Sequence, residues 1–395
     1  MKQVYLKKGK DESLRRFHPW VFSGALHHID DGIAEGDTVR VVASDGSVRA
    51  VGHYQQGSIA VRVLSFGDSV IDDTFWQQRL RSAFALRETL DLGDTFRRVH
   101  GEGDNLPGLI VDMYGTTAVM QAHSIGMHRC RHAIAQALMA VAAGRITGVY
   151  YKSETTLPFI EPENGFIAGS DSAENVADEN GLKFYIDWLR GQKTGFFVDQ
   201  RDNRALVEHY ARGRRVLNMF CYTGGFSVYA MRGGATLVHS VDSSAKAIEL
   251  TRRNVELNFP GDARHEAFCE DAFKFIDQIA PAGGQSSGFN PQYDLVVLDP
   301  PAFAKHRAAL HNALKGYIRL NQKAMEKMPP GSLLFTFSCS QVVTKDQFRQ
   351  AVFTAAALAR RNVRILHQLH QPADHPINIY HPEGEYLKGL VAYVV

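Results

Sequence analysis

With 395 residues, 45% of them hydrophobic, the chain has enough apolar surface for about two or three domains, which excludes disorder as its overall state. A formal net charge of +2 excludes a surface that binds polyanions everywhere, so any nucleic-acid site must be a local basic face. The cysteines Cys130, Cys221, Cys269 and Cys339 form no CxxC pair and no zinc spacing, which points to a reduced, cytoplasmic chain without structural disulfides or metal. The N-terminus is interrupted by charges too often for a signal peptide, and no later stretch has the length of a membrane span.

Residues 1–75 read as short strands over 3–6, 38–43, 50–54 and 59–64, punctuated by Asp45-Gly46 and Gln56-Gly57, which suggests a small β barrel. Lys7, Lys8, Lys10, Arg15 and Arg16 lie beside Phe17, His18 and Trp20, a mixture that suits phosphates and bases. The ordinary reading is a solvated basic turn over a core aromatic. Residues 76–180 alternate between helical and extended patterns: a helix over 75–90, a hairpin within 99–121, a helix over 127–143 and a strand over 148–151. This is an α+β domain, closed by an acidic, small-residue loop over 161–179.

The remainder, 181–395, opens with a predicted hairpin over 181–198 about Gly191 and a helix over 199–210. An apolar run over 216–220 ends in Thr223-Gly224-Gly225 and passes into a helix, so a strand, a glycine turn and a helix start follow one another. Glycine lets backbone approach a ligand, and free amides at a helix N-terminus favour a carboxylate or phosphate. A second strand over 236–241 ends in Asp242, placed to hold a ribose diol or, equally, to cap the next helix. A third, over 266–271, ends in Glu270-Asp271, placed to meet an adenine amino group or to cap the helix that follows. The fourth runs into Asp299-Pro300-Pro301, where two prolines fix a rigid exit, and the fifth, over 332–337, runs into Ser338-Cys339-Ser340. Strands over 363–369 and 386–395 complete the chain. Ligands in open α/β sheets bind outside the carboxyl ends of the strands, so these tips should share one crevice.

The series LNMFCYTGGFS, VDSS, EDAF, LDPPAF and FSCS resembles class I S-adenosylmethionine-dependent methyltransferases, and most narrowly the RlmI-type bacterial 23S ribosomal RNA cytosine-C5 methyltransferases. GQKTGFFVDQRDNR, residues 191–204, is a further family-like block. The resemblance implies an α/β protein with a Rossmann-like catalytic sheet over 181–395, an N-terminal PUA-like RNA-binding barrel and a central α+β domain that helps form the RNA cleft. It implies S-adenosylmethionine as cofactor, 23S ribosomal RNA as partner, no membrane and no metal, and it leaves a homodimer open. For the cofactor it implies Asn218, Phe220, Tyr222, Thr223, Gly224, Gly225, Asp242, Ser243, Asp271 and Asp299, together with Lys193, Thr194 and Gln200. The competing reading of the last three is a hairpin that covers the sheet edge.

Carbon 5 of cytosine is a poor nucleophile until a thiolate adds to carbon 6 and makes an enamine. Cys339 is the expected nucleophile, with a nearby positive charge needed to favour its thiolate. Asp299 is the expected holder of the base, and Phe303 either stacks on the flipped base or packs in the core. Related RNA enzymes carry a second cysteine soon after the fourth strand, where this chain has Pro301-Ala302-Phe303. Asp299, a water molecule or Lys305 is the expected acceptor of the carbon-5 proton. Two other functions stay open: methylation of an exocyclic amine of adenine or guanine with Cys339 structural, and a non-catalytic RNA-binding assembly factor.

Overall fold

The computed structural model describes residues 1–157, 164–169, 176–280, 292–304 and 306–395. They form two compact units: Met1–Asn180 with Ile186–Val198 and Ala373–Gly384, and Gly181–Tyr185 with Asp199–Pro372 and Glu385–Val395.

The first unit holds two sheets. In the six-stranded one, Trp20–Phe22, Ile59–Phe66, Val48–Tyr54, Thr38–Val42, Gln3–Leu6 and Leu26–Ile29 lie side by side in that order. Alternate residues of these strands (Val4 and Leu6, Val39 and Val41, Val61 and Val63) point to one core, as a period of two demands. Trp20–Phe22 and Leu26–Ile29 went unpredicted because they are short and rich in histidine and aromatic residues, without clean alternation. The five-stranded sheet runs Gly165–Gly169, Gly148–Tyr151, Thr117–Ala122, Leu109–Tyr114, Thr95–His100, and packs against the helix Asp73–Glu88, capped by Asp72.

Three expectations for this unit need correction. The helix expected over 127–143 is two, Ile125–Arg129 and Arg131–Ala142, broken at Cys130. The expected loop over 161–179 contains the strands Gly165–Gly169 and Val176–Glu179, its other parts at 161–163 and 170–175 lying outside the described residues. The hairpin about Gly191 does not form: Leu182–Tyr185 is a strand of the second unit, and 186–198 continues as turns in the first. Lys193 and Gly195 there take positive φ, which interrupts any extended ladder.

In the second unit seven strands pair in the order His265–Cys269, Leu237–Asp242, Arg215–Met219, Leu295–Leu298, Ser332–Ser338, Lys388–Val394, Val363–His370. The first five are parallel to one another, and Lys388–Val394 is antiparallel to the strands on either side. Parallel strands with helical crossovers are buried on both faces, which is why Leu295–Leu298 and Ser332–Ser338 are buried throughout. Leu320, Met325, Leu334 and Phe348 belong to the core that joins the helices Leu310–Lys327 and Lys345–Leu358 to this sheet. Chain order reverses direction at Arg215–Met219, which places the switch point between that strand and Leu295–Leu298.

Candidate active site

The strand Arg215–Met219 stops because Phe220 takes φ +59°, and Tyr222 at +47° and Gly224 at +76° follow in the same region. Such angles are costly for bulky side chains and persist only when the surroundings enforce them. Here the enforcement is visible. Tyr222 donates its backbone N–H to Asp242 Oδ2 at 3.0 Å, and its carbonyl accepts from the Thr251 hydroxyl at 2.9 Å. The Thr223 carbonyl accepts from Asn254 Nδ2 at 2.8 Å. Thr251 and Asn254 lie three residues apart on the helix Ala245–Asn258, hence on one face, and that face grips the loop. A Cβ on Gly224 would stand 2.6 Å from Thr251 Cγ2, so this position requires glycine for its angle and for its neighbour. Among the described residues no side chain caps the following helix, Gly225–Arg232, so its first-turn amides are available to an anion.

Asp242 accepts from the amides of both Tyr222 and Ser244, one on each oxygen, which fixes the plane of the carboxylate and leaves further lone pairs for hydroxyl donors. It is not the helix cap. Ser244 is, accepting from Ala247 N, and Ser243 stands exposed between the two. The third strand ends at Cys269, two residues earlier than expected, because Asp271 already caps the helix Ala272–Gln278 by accepting from Lys274 N at 3.0 Å. Asn218 is fully buried and donates to Ser227 Oγ, which bonds Ser240 Oγ and through it His265 Nε2. This residue therefore supports the loop from beneath.

Asp299 follows Leu295–Leu298, and Cys339 follows the neighbouring parallel strand Ser332–Ser338, with Leu298 level with Thr336. Both groups thus leave the same edge of adjacent strands, and both are partly exposed. Asp299 Oδ2 accepts from Gln200 Nε2 at 2.9 Å, and Gln200 Oε1 is held by Asn203 Nδ2 at 2.6 Å. Gln200, which the resemblance assigns to the cofactor, here bonds Asp299. Tyr317, on the helix Leu310–Lys327, accepts from Ser338 Oγ at 2.9 Å. Burial pushes its phenol up to about 12, and the nearby charges of Cys339 and Asp299 add to the rise, so its hydroxyl stays protonated. Phe303 packs on Tyr317 with ring centroids 4.7 Å apart and lies close over Gly316, so its ring joins the core even though it is partly exposed. Lys388 is 5% exposed, and its ammonium donates to the carbonyls of Ser340 and Val343, each at 2.6 Å. Lys305 lies outside the described residues.

The other cysteines differ from Cys339. Cys221 is buried under the glycine loop beside Thr251 and its thiol is pushed up strongly by burial, as is that of Cys130 to a smaller degree. Cys269 is exposed and faces the carbonyl of Ser243.

The remaining expected positions fall in the first unit. Thr194 is buried and donates to Asp112 Oδ2 at 2.6 Å, with Tyr114 OH beside it at 2.9 Å, while Lys193 Nζ stands 4.4 Å from the Phe197 ring centre. Lys8 and Lys10 are exposed, Lys7 donates to Gly24 O, and Arg15 and Arg16 pair with Asp11 and Glu12. Trp20 donates to Glu102 Oε1 at 2.8 Å and meets the His381 ring edge-on at 4.3 Å, so much of its surface is already engaged. Thr251, Asn254, Asn203, Tyr317 and Lys388 were not foreseen. For Lys388 a signal existed: a lone charge opening an otherwise apolar strand, KGLVAYV.

These residues fit S-adenosylmethionine by the chemistry of their donors: uncapped amides at Gly225 for its carboxylate, and an oriented Asp242 for its ribose diol. Among the described residues no cluster of three or more His, Cys, Asp or Glu side chains could hold a metal ion, and no helix is long and apolar enough to cross a membrane.

Residues 164–378 match the model of an S-adenosylmethionine-dependent methyltransferase family, and residues 4–66 match that of a PUA-like domain. The chain is 38% identical over 402 residues to ribosomal RNA large subunit methyltransferase I of Shewanella denitrificans, covering 99% of both chains. It is 39% identical over 400 residues to the protein of that name from Pseudoalteromonas translucida, again covering 99% of both. A SAM-dependent methyltransferase structure from Streptococcus mutans shares the fold over 100% of both chains, with a TM-score of 0.84 at 20% identity. A methyltransferase structure complexed with SAH matches equally, with a TM-score of 0.84 at 21% identity. A glycine loop gripped by the Thr251 face and an oriented Asp242 are what such a cofactor demands, and the chain belongs to the S-adenosylmethionine-dependent methyltransferase family that includes the ribosomal RNA large subunit methyltransferase I proteins.

Proposed function

We propose that the enzyme methylates carbon 5 of one cytosine in 23S ribosomal RNA, in the cytoplasm, with Cys339 as nucleophile and Asp299 as the group that holds the base. The observation that carries this reading is the emergence of Cys339 and Asp299 from adjacent strand tips, both partly exposed, over a protonated Tyr317. The relatives named for ribosomal RNA of the large subunit support the substrate.

When bound, S-adenosylmethionine supplies a methyl group on a sulfonium, an electrophile that needs no activation by the protein. The protein's work is on the ring. The Cys339 thiol releases its proton to solvent, and the thiolate adds to carbon 6, placing the electron pair of the 5,6 double bond at carbon 5. Asp299, steadied by Gln200, accepts from the cytosine amino group and holds the ring in place. Carbon 5 uses that pair to bond the methyl carbon as the methyl–sulfur bond breaks towards sulfur, and loss of the carbon-5 proton to Asp299, a water molecule or Lys305 then restores the 5,6 bond and expels the thiolate, so release proceeds without a second cysteine. In this reading 1–75 binds RNA through Lys7, Lys8, Lys10, Arg15, Arg16 and the exposed part of Trp20, 76–180 extends the RNA surface, and 181–395 performs the transfer. Lys193 and Thr194 serve the cofactor in the same scheme. A homodimer is part of the proposal, supported by the edge strand Val363–His370 and its exposed Ile365 and Leu366.

Mass mapping of ribosomal RNA nucleosides from cells lacking the protein tests this function. Loss of a single 5-methylcytidine is expected. Loss of an N-methylated purine would instead favour exocyclic-amine methylation, and an unchanged methylation map would favour the assembly factor.

A further inference from the structure

We propose that Lys388 is a positioning residue that holds Cys339 and favours its thiolate, an inference that rests on the reading of Cys339 as nucleophile. Three observations converge on it. The strand Lys388–Val394 begins opposite Ser338, the residue just before Cys339, in antiparallel register. Gly389, level with Phe337, lets the strands close here, since a Cβ would stand 2.5 Å from the Phe337 ring. From that starting point the Lys388 ammonium reaches past Cys339 and donates to Ser340 O and Val343 O, each at 2.6 Å. The turn that carries the thiol is therefore tied on both sides by one residue.

Position alone does not require a charge, because a neutral donor would tie the same carbonyls. Burying an ammonium is costly unless it meets an opposing charge, and two carbonyl dipoles do not neutralise it. Glu385 already pairs with Lys345. Tyr317 is kept protonated by its burial, and the negative charges that act on Lys388 are those of Cys339 and Glu385. Among the described residues, Cys339 is the group whose ionised form balances Lys388. In agreement, burial lowers the ammonium to about 8, and the largest influence opposing that fall is the charge of Cys339, ahead of Glu385. The interaction is mutual: whatever favours the ammonium through the thiolate favours the thiolate through the ammonium. The thiol proton goes to solvent, and Lys388 keeps its own throughout.

The test follows the rate of Cys339 alkylation by iodoacetamide against pH in the full chain, read at the Cys339 peptide by mass spectrometry. The midpoint in the unaltered protein should lie below the ~8.5 of a free thiol. Lys388→Met should raise it by about one unit or more and lower kcat at neutral pH roughly tenfold, the loss shrinking as pH rises, with KM for S-adenosylmethionine unchanged. Lys388→Arg should restore the midpoint. A folded Met variant with an unshifted midpoint would reduce Lys388 to a tie for the turn and overturn the proposal. Should Met not fold, Lys388→Gln, which keeps an N–H donor without the charge, is read the same way. Should neither fold, the unaltered protein decides, a midpoint at or above ~8.5 overturning the proposal and a lower one supporting it. Failure of the nucleophile reading shows separately, as the absence of a covalent adduct with 5-fluorocytosine RNA while the alkylation shift persists.

Discussion

At the tips of the first two strands the ligand-facing groups are held by backbone geometry, whereas at the tips of the fourth and fifth they are held by side chains from separate segments. The first place uses Phe220, Tyr222 and Gly224 at positive φ, gripped by neutral hydroxyl and amide groups of one helix. The second brings together Gln200, Asp299, Tyr317, Cys339 and Lys388, four of them ionisable, in a partly desolvated corner. The difference matches the tasks proposed for the two places. A cofactor that arrives already activated needs shape and a few fixed partners. A base that must be made reactive needs groups whose charge is controlled.

Changes at the two places should therefore fail in different ways. The largest effect is expected from Cys339→Ala, which should lower kcat by roughly a thousandfold or more while leaving affinity for SAH intact by titration calorimetry. Unimpaired turnover would remove the thiolate from the mechanism. Next comes Gly224→Ala, where the φ of +76° and the contact with Thr251 both oppose a side chain. We expect a loss of about 1–3 kcal/mol in unfolding free energy and a cofactor affinity weaker by tenfold or more; an unchanged Kd would mean that the loop geometry is not what binds. Asp242→Asn and Gln200→Ala form a matched pair. The first should raise KM for the cofactor roughly tenfold at constant kcat, and the second should lower kcat about five- to tenfold at constant KM. Equal effects on both parameters from both variants would erase the distinction between the two places.

The smallest effect concerns acid. His265, which meets Ser240 beneath the cofactor loop, is lowered by burial from 6.5 to about 4. Between those values the unfolded chain binds the extra proton, so stability falls as pH drops from 6.5 towards 4, by at most about 1.4 kcal/mol per unit. Urea unfolding of His265→Gln should show a shallower acid slope than the unaltered chain. Parallel slopes would place the proton elsewhere.

The same contrast explains what could be read in advance. A strand, a glycine turn and an acidic strand tip are local patterns, so the strands at Arg215–Met219 and Leu237–Asp242 were found to within a residue or two. The grip of Thr251 and Asn254 was hidden because a polar residue on an amphipathic helix looks solvated until the loop it faces is placed. Tyr317 and Lys388 lie 22 and 49 residues from Cys339 in the chain (339 − 317 and 388 − 339), and only the pairing of Ser338 with Lys388 brings the lysine to the thiol's turn. The hairpin expected about Gly191 misled because alternation over 181–198 suggested a ladder that the positive φ of Lys193 and Gly195 prevents. Asp271 shows that one tip residue supports two readings, since one of its carboxylate oxygens accepts from the Lys274 amide as a helix cap.

Trapping with RNA that carries 5-fluorocytosine is the most direct examination of the chemistry, because fluorine at carbon 5 cannot leave as a proton does and the enzyme stays attached. A covalent protein–RNA species is expected whose modified peptide contains Cys339 and which Cys339→Ala does not form. A complete methyl transfer with no such species, or an adduct on another residue, would remove Cys339 as the nucleophile.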